Sequence, residues 1–187
     1  MRKVTFAIYT TLDGVVDHMK IGPPDQETAE YFTQLTRDAD TFLYGRKTYQ
    51  LMVPYWPNVV KNPAGQTAAG IEFARAFDAI DKIIVFSQSL DNAEDEKTRI
   101  VRTGLHDEVL TLKQEQGKNI MTGGVTLASQ LAALGLIDEY HFVVHPIIVG
   151  DGRRLFEGVG LQEKLRLKLV ESKTFQSGCV LLKYLKQ

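Results

Sequence analysis

The sequence predicts an α/β domain: a mixed, mainly parallel β-sheet flanked by helices, with an antiparallel C-terminal hairpin. Two patterns point to it. From Val4 to Leu134, short β-branched or aromatic runs alternate with segments whose apolar residues recur at helical spacing. The last third is strand-rich, and the turn signal Ser177-Gly178 lies between two extended runs. A chain of 187 residues, 44% of them hydrophobic, also suits one core, so a single domain spanning 1–187 is expected.

Val4 to Tyr9 alternates and reads as the first strand, and Asp13-Gly14 reads as the turn after it. Pro23-Pro24-Asp25 starts a helix whose stripe is Ala29, Phe32 and Leu35, running to about Arg37. Thr41 to Tyr44 is a buried strand that feeds Gly45-Arg46-Lys47-Thr48 and a helix limited to about two turns by Pro54 and Pro57. With its three prolines, Pro54 to Gln66 is expected to be a surface loop. Ile71, Ala74 and Phe77 space the next helix, and Lys82 to Ser87 is another buried strand.

Asp91 to Lys97 carries five charges in seven residues and reads as a solvated connector to a short strand at Arg99 to Arg102. Leu105, Val109 and Leu112 mark a helix ended by Gly117, and Asn119 to Met121 is a strand. Gly123-Gly124 then opens a helix that reaches Leu134 and is closed by Gly135. Glu139 to Val149, Leu165 to Val170 and Cys179 to Leu185 supply the remaining strands.

A formal net charge of -1 offers no broad field for a polyanion, so nucleic acid and anionic membrane are poor partners and phosphate binding has to be local. The lone Cys179 has no internal disulfide partner. The start Met1-Arg2-Lys3 runs straight into the first strand without a signal-peptide core. No stretch approaches the roughly 20 apolar residues of a membrane helix, and a cytoplasmic address is expected.

In open α/β sheets, ligands bind where strand ends turn into helix starts that carry unpaired N–H groups and the positive end of the helix dipole. Three such corners stand out. In the first, Gly45 permits close approach and Arg46, Lys47 and Thr48 supply charge and a hydroxyl; the plainer reading is a turn with solvated cations. The second is Ser87-Gln88-Ser89, where a serine equally well caps a turn. In the third, Gly123-Gly124-Val125-Thr126-Leu127 leaves room for a pyrophosphate, the alternative being tight packing of helix on sheet. The chain contains neither Gly-x-Gly-x-x-Gly nor a Walker loop.

In this order the three corners resemble the dihydrofolate-reductase-like superfamily across the whole chain. A more specific likeness, to the C-terminal reductase domain of bifunctional riboflavin-biosynthesis deaminase/reductases and its stand-alone relatives, rests on several motifs. They are Thr11-Leu12-Asp13-Gly14, Leu136-Ile137-Asp138-Glu139, Pro146-Ile147-Ile148-Val149-Gly150 and Leu155-Phe156. The resemblance implies that Gly45 to Thr48 meets the adenosine phosphate and pyrophosphate, Ser87 the adenosine side, and Gly123 to Leu127 the pyrophosphate. Paired guanidinium donors suit a 2′-phosphate, so Arg46 with Lys47 favours NADPH over NADH. The Pro-Trp of true dihydrofolate reductases is missing before the first helix, which argues against folate, and no zinc-deaminase motif is present.

The expected activity is NADPH-dependent hydride transfer to a small heterocycle of pyrimidine or pterin type; the alternative is a catalytically silent NADP-binding module. Asp13, just past the first strand, is the leading polar candidate near the nicotinamide, although Asp-Gly is also an ordinary turn pair. Glu27 and Glu30 on the first helix are candidates for a polar ring or protonated nitrogen, or else a solvated face. Tyr9, Tyr44, Tyr49 and Trp56 form an aromatic slot or simply core. His141 and His145 share a strand face, and His18 and His106 lie in loops; no metal is expected. The relatives imply a homodimer, with the strand-rich Glu139 to Pro146 region as its two-fold interface.

Overall fold

The computed structural model of the chain describes residues 1–161 and 164–187. In chain order its elements are β1 (Val4–Thr11), α1 (His18–Ile21), α2 (Gln26–Arg37), β2 (Ala39–Gly45), α3 (Arg46–Met52), α4 (Tyr55–Lys61), α5 (Ala68–Asp78), β3 (Lys82–Phe86), β4 (Thr98–Val101), α6 (Leu105–Gln114), β5 (Asn119–Thr122), α7 (Thr126–Ala133), β6 (Glu139–His145), β7 (Leu167–Thr174) and β8 (Val180–Lys186).

The strands form one eight-stranded sheet in the order β4-β3-β2-β5-β1-β6-β8-β7. The first six in that order run parallel, while β8 is antiparallel to both β6 and β7. Each parallel connection is a crossover; α2, α5, α6 and α7 lie on four of them, and segment 87–97 links β3 to β4 without a helix. The carboxyl ends of β1, β2, β3, β5 and β6 therefore share one edge of the sheet, and that edge receives all three corners.

Strand alternation sorts side chains onto two faces. Val4, Phe6, Leu43, Ile84, Ile120 and Tyr140 pack with Val109 and Leu112 of α6 and Leu127, Ala128 and Leu131 of α7. Ala7, Phe42, Tyr44, Val85, Met121 and Val143 pack with Phe32 of α2 and Phe77 of α5 on the other face. Helix starts follow their caps: Asp25 accepts from the Thr28 N–H (3.0 Å) at α2, and Thr67 from the Gly70 N–H (3.0 Å) at α5. At the opposite, amino-terminal edge, buried Arg2 pairs with Asp40 and donates to Lys118 O (2.6 Å), tying the start of β1 to β2 across the start of β5.

The loop expected over Pro54 to Gln66 is corrected: Tyr55–Lys61 is helical. Pro54 occupies the N-cap and Pro57 the first turn, where N–H groups have no intrahelical acceptor, so neither proline removes a helical hydrogen bond. The short helix α1, capped by Asp17, had no apolar stripe to announce it. β6 lies inside the sheet between β1 and β8, whereas β7 is the exposed outer strand, with Leu169 and Val170 at the surface. No helix among the described residues is long and apolar enough to cross a membrane.

Candidate functional site

The carboxyl edge joins the three corners physically. Arg46 Nη1 donates to Ser89 Oγ (3.0 Å), linking the start of α3 to the loop after β3. Gly124 has φ +78°, and a Cβ there would collide with Thr48 Oγ1, so the corner after β5 closes directly on α3. Of the two readings for this glycine, the close approach it permits is first of all to Thr48. Gly45 and Gly123 leave ordinary space, with a Cβ 3.9 Å from Leu127 Cβ and 3.7 Å from Tyr44 Cε1 respectively.

Helices α3 and α7 both begin at this edge without a side-chain cap, as α4 and α6 also begin, whereas α1, α2 and α5 are capped by Asp17, Asp25 and Thr67. Uncapped N–H groups and the positive dipole end favour an anion. Arg46 and Lys47 are exposed beside the first of these starts. Thr126 is exposed at the second, while the Leu127 side chain is buried in the core, so Leu127 can offer a ligand only its backbone. Val125 is the N-cap residue of α7, and Ser87 caps its own turn, accepting from the N–H groups of Ser89 (3.2 Å) and Leu90 (3.1 Å).

A fourth segment, 146–158, completes the edge, and its cations were not singled out from the sequence. Arg153 Nη2 donates to Thr126 Oγ1 (2.8 Å), placing a guanidinium at the start of α7. Arg154 Nε donates to Asp13 O (3.1 Å), and Val16 N and Leu155 N bond back to Arg153 O (3.0 Å) and Gly14 O (2.9 Å). The signal available in sequence was an Arg pair directly after Gly150-Asp151-Gly152.

Asp13 is the clamp of this segment. Its carboxylate accepts from Thr11 Oγ1 (2.6 Å), Gly150 N (2.9 Å) and Val149 N (3.4 Å). The Thr11 hydroxyl, aided by these backbone N–H groups, holds its carboxyl below the ordinary carboxylate range. Glu27 accepts from Gln176 N (2.6 Å) and ties α2 to the β7–β8 turn, and exposed Glu30 accepts from Gln26 Nε2 (2.9 Å).

The four aromatic candidates do not form one slot. Tyr44 and Tyr49 are core residues, Tyr9 stacks on Phe32 with centroids 4.3 Å apart, and Trp56 packs edge-on against Phe73 at 4.6 Å. His141 is buried between Tyr31 Oη (2.6 Å) and Glu139 Oε2 (3.3 Å). A depression of about 640 Å³ lies away from these corners, at the amino-terminal edge, lined by Arg2, Arg37, Asp38, Glu115 and Lys118. Its lining includes none of the residues of the carboxyl edge.

The fold is shared with known proteins. The family model of the RibD C-terminal domain matches residues 2–181. Uncharacterized protein YyaP of Bacillus subtilis is 31% identical over 190 residues, covering 98% of this chain and 94% of that protein. The crystal structure of a pyrimidine reductase-like protein from Corynebacterium diphtheriae superposes with a TM-score of 0.70 at 16% identity, over 100% of this chain and 92% of that one. A diaminohydroxyphosphoribosylaminopyrimidine deaminase/5-amino-6-(5-phosphoribosylamino)uracil reductase from Thermotoga maritima gives 0.69 at 17% identity, over 100% of this chain but only 57% of that one. The chain belongs to the RibD C-terminal domain family.

Proposed function

We propose that the protein is an NADPH-dependent reductase that transfers a hydride to a small heterocyclic substrate of pyrimidine or pterin type. The observation that carries this is the meeting of two uncapped helix starts with Arg46, Lys47 and Arg153 on one sheet edge. Such an arrangement fits a dinucleotide phosphate: unpaired N–H groups for the pyrophosphate and guanidinium forks for a terminal phosphate. The reductase names borne by the Corynebacterium and Thermotoga structures favour the same reading.

When bound, the cofactor supplies the hydride, and the protein binds and orients. Arg46, steadied by Ser89, and Lys47 hold the 2′-phosphate. The backbone at Gly45 to Thr48 and Gly123 to Leu127 holds the pyrophosphate, with Arg153 adding charge beside Thr126. Ser87 borders the adenosine. Asp13 holds Val149 and Gly150 against the end of β1, and the nearby Leu12 and Ile148 side chains, both exposed, would supply apolar cover for the nicotinamide. The homodimer implied by the resemblance would not pair through the expected Glu139 to Pro146 region, because β6 is interior to the sheet; the exposed outer strand β7 is the surface that would serve instead.

The test is loss of nicotinamide absorbance when NADPH is mixed with 5-amino-6-(5-phosphoribosylamino)uracil or a dihydropterin. Turnover with either supports a working reductase. Tight NADPH binding with no turnover of any pyrimidine or pterin identifies a silent NADP-binding module instead.

A further inference from the structure

Beside the proposed nicotinamide region lies a histidine with no part in holding the cofactor. His145 ends β6, paired in register with Thr11 at the end of β1. It is 8% exposed, and its Nε2 is buried with no hydrogen-bond partner among the described residues. Its ring meets Tyr9 edge-on with centroids 5.3 Å apart. On the other side, one position beyond the last assigned pair Val144 and Val180, stands buried Cys179.

The polar groups around it are committed elsewhere. The Tyr9 hydroxyl donates to Thr28 O (3.2 Å). Asp25 accepts from Thr28 N (3.0 Å), Thr28 Oγ1 (3.0 Å) and Ser177 Oγ (2.8 Å). Burial pushes the imidazole below the ordinary histidine range, only partly offset by Asp25, so the ring is neutral at physiological pH. A neutral imidazole has one N–H and one lone pair to give. Leaving one of them buried and unanswered is costly, and native proteins leave few such groups outside functional positions.

Resting on the reductase reading, we infer that His145 is a substrate-binding residue whose Nε2 hydrogen-bonds the polar edge of a pyrimidine-type ring at the carboxyl ends of β1 and β6. The ring reaches Nε2 by parting the β7–β8 turn from the start of α2, which Glu27 and Asp25 hold together in the free protein through Gln176 N (2.6 Å) and Ser177 Oγ (2.8 Å). Its carbonyl or N–H supplies the partner that Nε2 lacks, while the Tyr9–Phe32 stack walls the slot.

The experiment is calorimetric titration of the NADP⁺ complex with 5-amino-6-(5-phosphoribosylamino)uracil, for the wild type and for His145→Phe and His145→Gln, with a melting curve for each. Phenylalanine fills the space but removes the polar atom. The expected result is uracil affinity at least tenfold weaker in His145→Phe, NADP⁺ affinity within twofold of wild type, and a Tm unchanged or raised, because an unanswered buried nitrogen has been removed. His145→Gln, which can present a donor or acceptor, recovers part of the affinity. Uracil binding by His145→Phe within twofold of wild type overturns the inference. So does a lowered Tm in both variants, which marks a structural histidine. A wild-type complex that holds NADP⁺ but takes up no uracil overturns the inference alone; failure to bind NADP⁺ at all removes the proposed function along with it.

Discussion

Replacing Gly124 with alanine tests the joint on which the candidate site is built. Two costs arise at this position. An L-residue held at φ +78° loses about 1–2 kcal/mol relative to glycine. The new methyl also displaces Thr48 Oγ1, and forcing that side chain off its rotamer costs roughly 0.5–1.5 kcal/mol. The stiffer unfolded chain returns about 0.4–1 kcal/mol. The net destabilisation is about 0.5–3 kcal/mol, which for a chain of this size lowers Tm by roughly 1–12 °C. Thermal unfolding by circular dichroism measures it, with two controls. Gly123→Ala, whose Cβ meets only Tyr44 Cε1 at 3.7 Å, is expected to cost far less. Adding Thr48→Ala to Gly124→Ala removes the colliding oxygen and should recover the steric part, giving a double variant less damaged than the sum. A Gly124→Ala protein as stable as wild type, or strict additivity in the double variant, would refute the direct closure of the β5 corner on α3.

Other expectations follow from the same geometry. Asp138→Ala strands the buried Lys113 ammonium, which Asp138 accepts at 2.7 and 2.8 Å, and should cost about 3 kcal/mol in denaturant unfolding, more than Lys113→Met, which leaves only an exposed-side carboxylate. Glu139 is held down to about 2 from 4.5, first by its hydrogen bond with His141 and then by Lys3, against the opposing effect of burial. Its folded value is the lower one, so this stabilisation is complete above about pH 4.5 and is lost as pH falls toward 2. The denaturant midpoints of wild type and Glu139→Gln should therefore converge across that window; a constant gap would contradict the assignment. Arg153→Ala, which removes the guanidinium beside Thr126, should weaken NADPH and NADH binding by a similar factor, because the pyrophosphate is common to both.

The fold was largely legible because its parallel strands are short, buried on both faces and separated by amphipathic helices, so Ile83, Ile84 and Val85, or Phe32 with Leu35, carry unambiguous periodicity. Helix α4 was hidden because proline reads as a breaker unless its place in the first turn is known, and Pro57 has that place only once Pro54 is seen to be the cap. The expected alternation over Leu165 to Val170 lies N-terminal to much of β7, Leu167–Thr174, because an exposed outer strand with a register shift between Leu169 and Glu171 has little burial to impose a period. The corners were found from glycines and cations next to strand ends, since that chemistry is local. Arg153 and Arg154 escaped because their role depends on segment 146–158 folding back over Asp13 and Thr126, a long-range contact that spacing does not encode. In the sequence His145 stands out only with His141, as a metal pair set aside because histidines in an apolar strand look like core; only the unpartnered Nε2 sets it apart.

The central claim is that the carboxyl edge of the sheet binds NADPH through the α3 corner. It is tested most directly by titrating wild type and Arg46→Ala with NADPH and with NADH while following nicotinamide fluorescence. The wild type is expected to prefer NADPH, and the variant to lose about 1–3 kcal/mol of NADPH affinity, as for removal of a charge-assisted pair, with NADH little changed. Equal losses for both nucleotides would move the 2′-phosphate away from Arg46, and no binding of either by the wild type would contradict the assignment of this edge as a dinucleotide site.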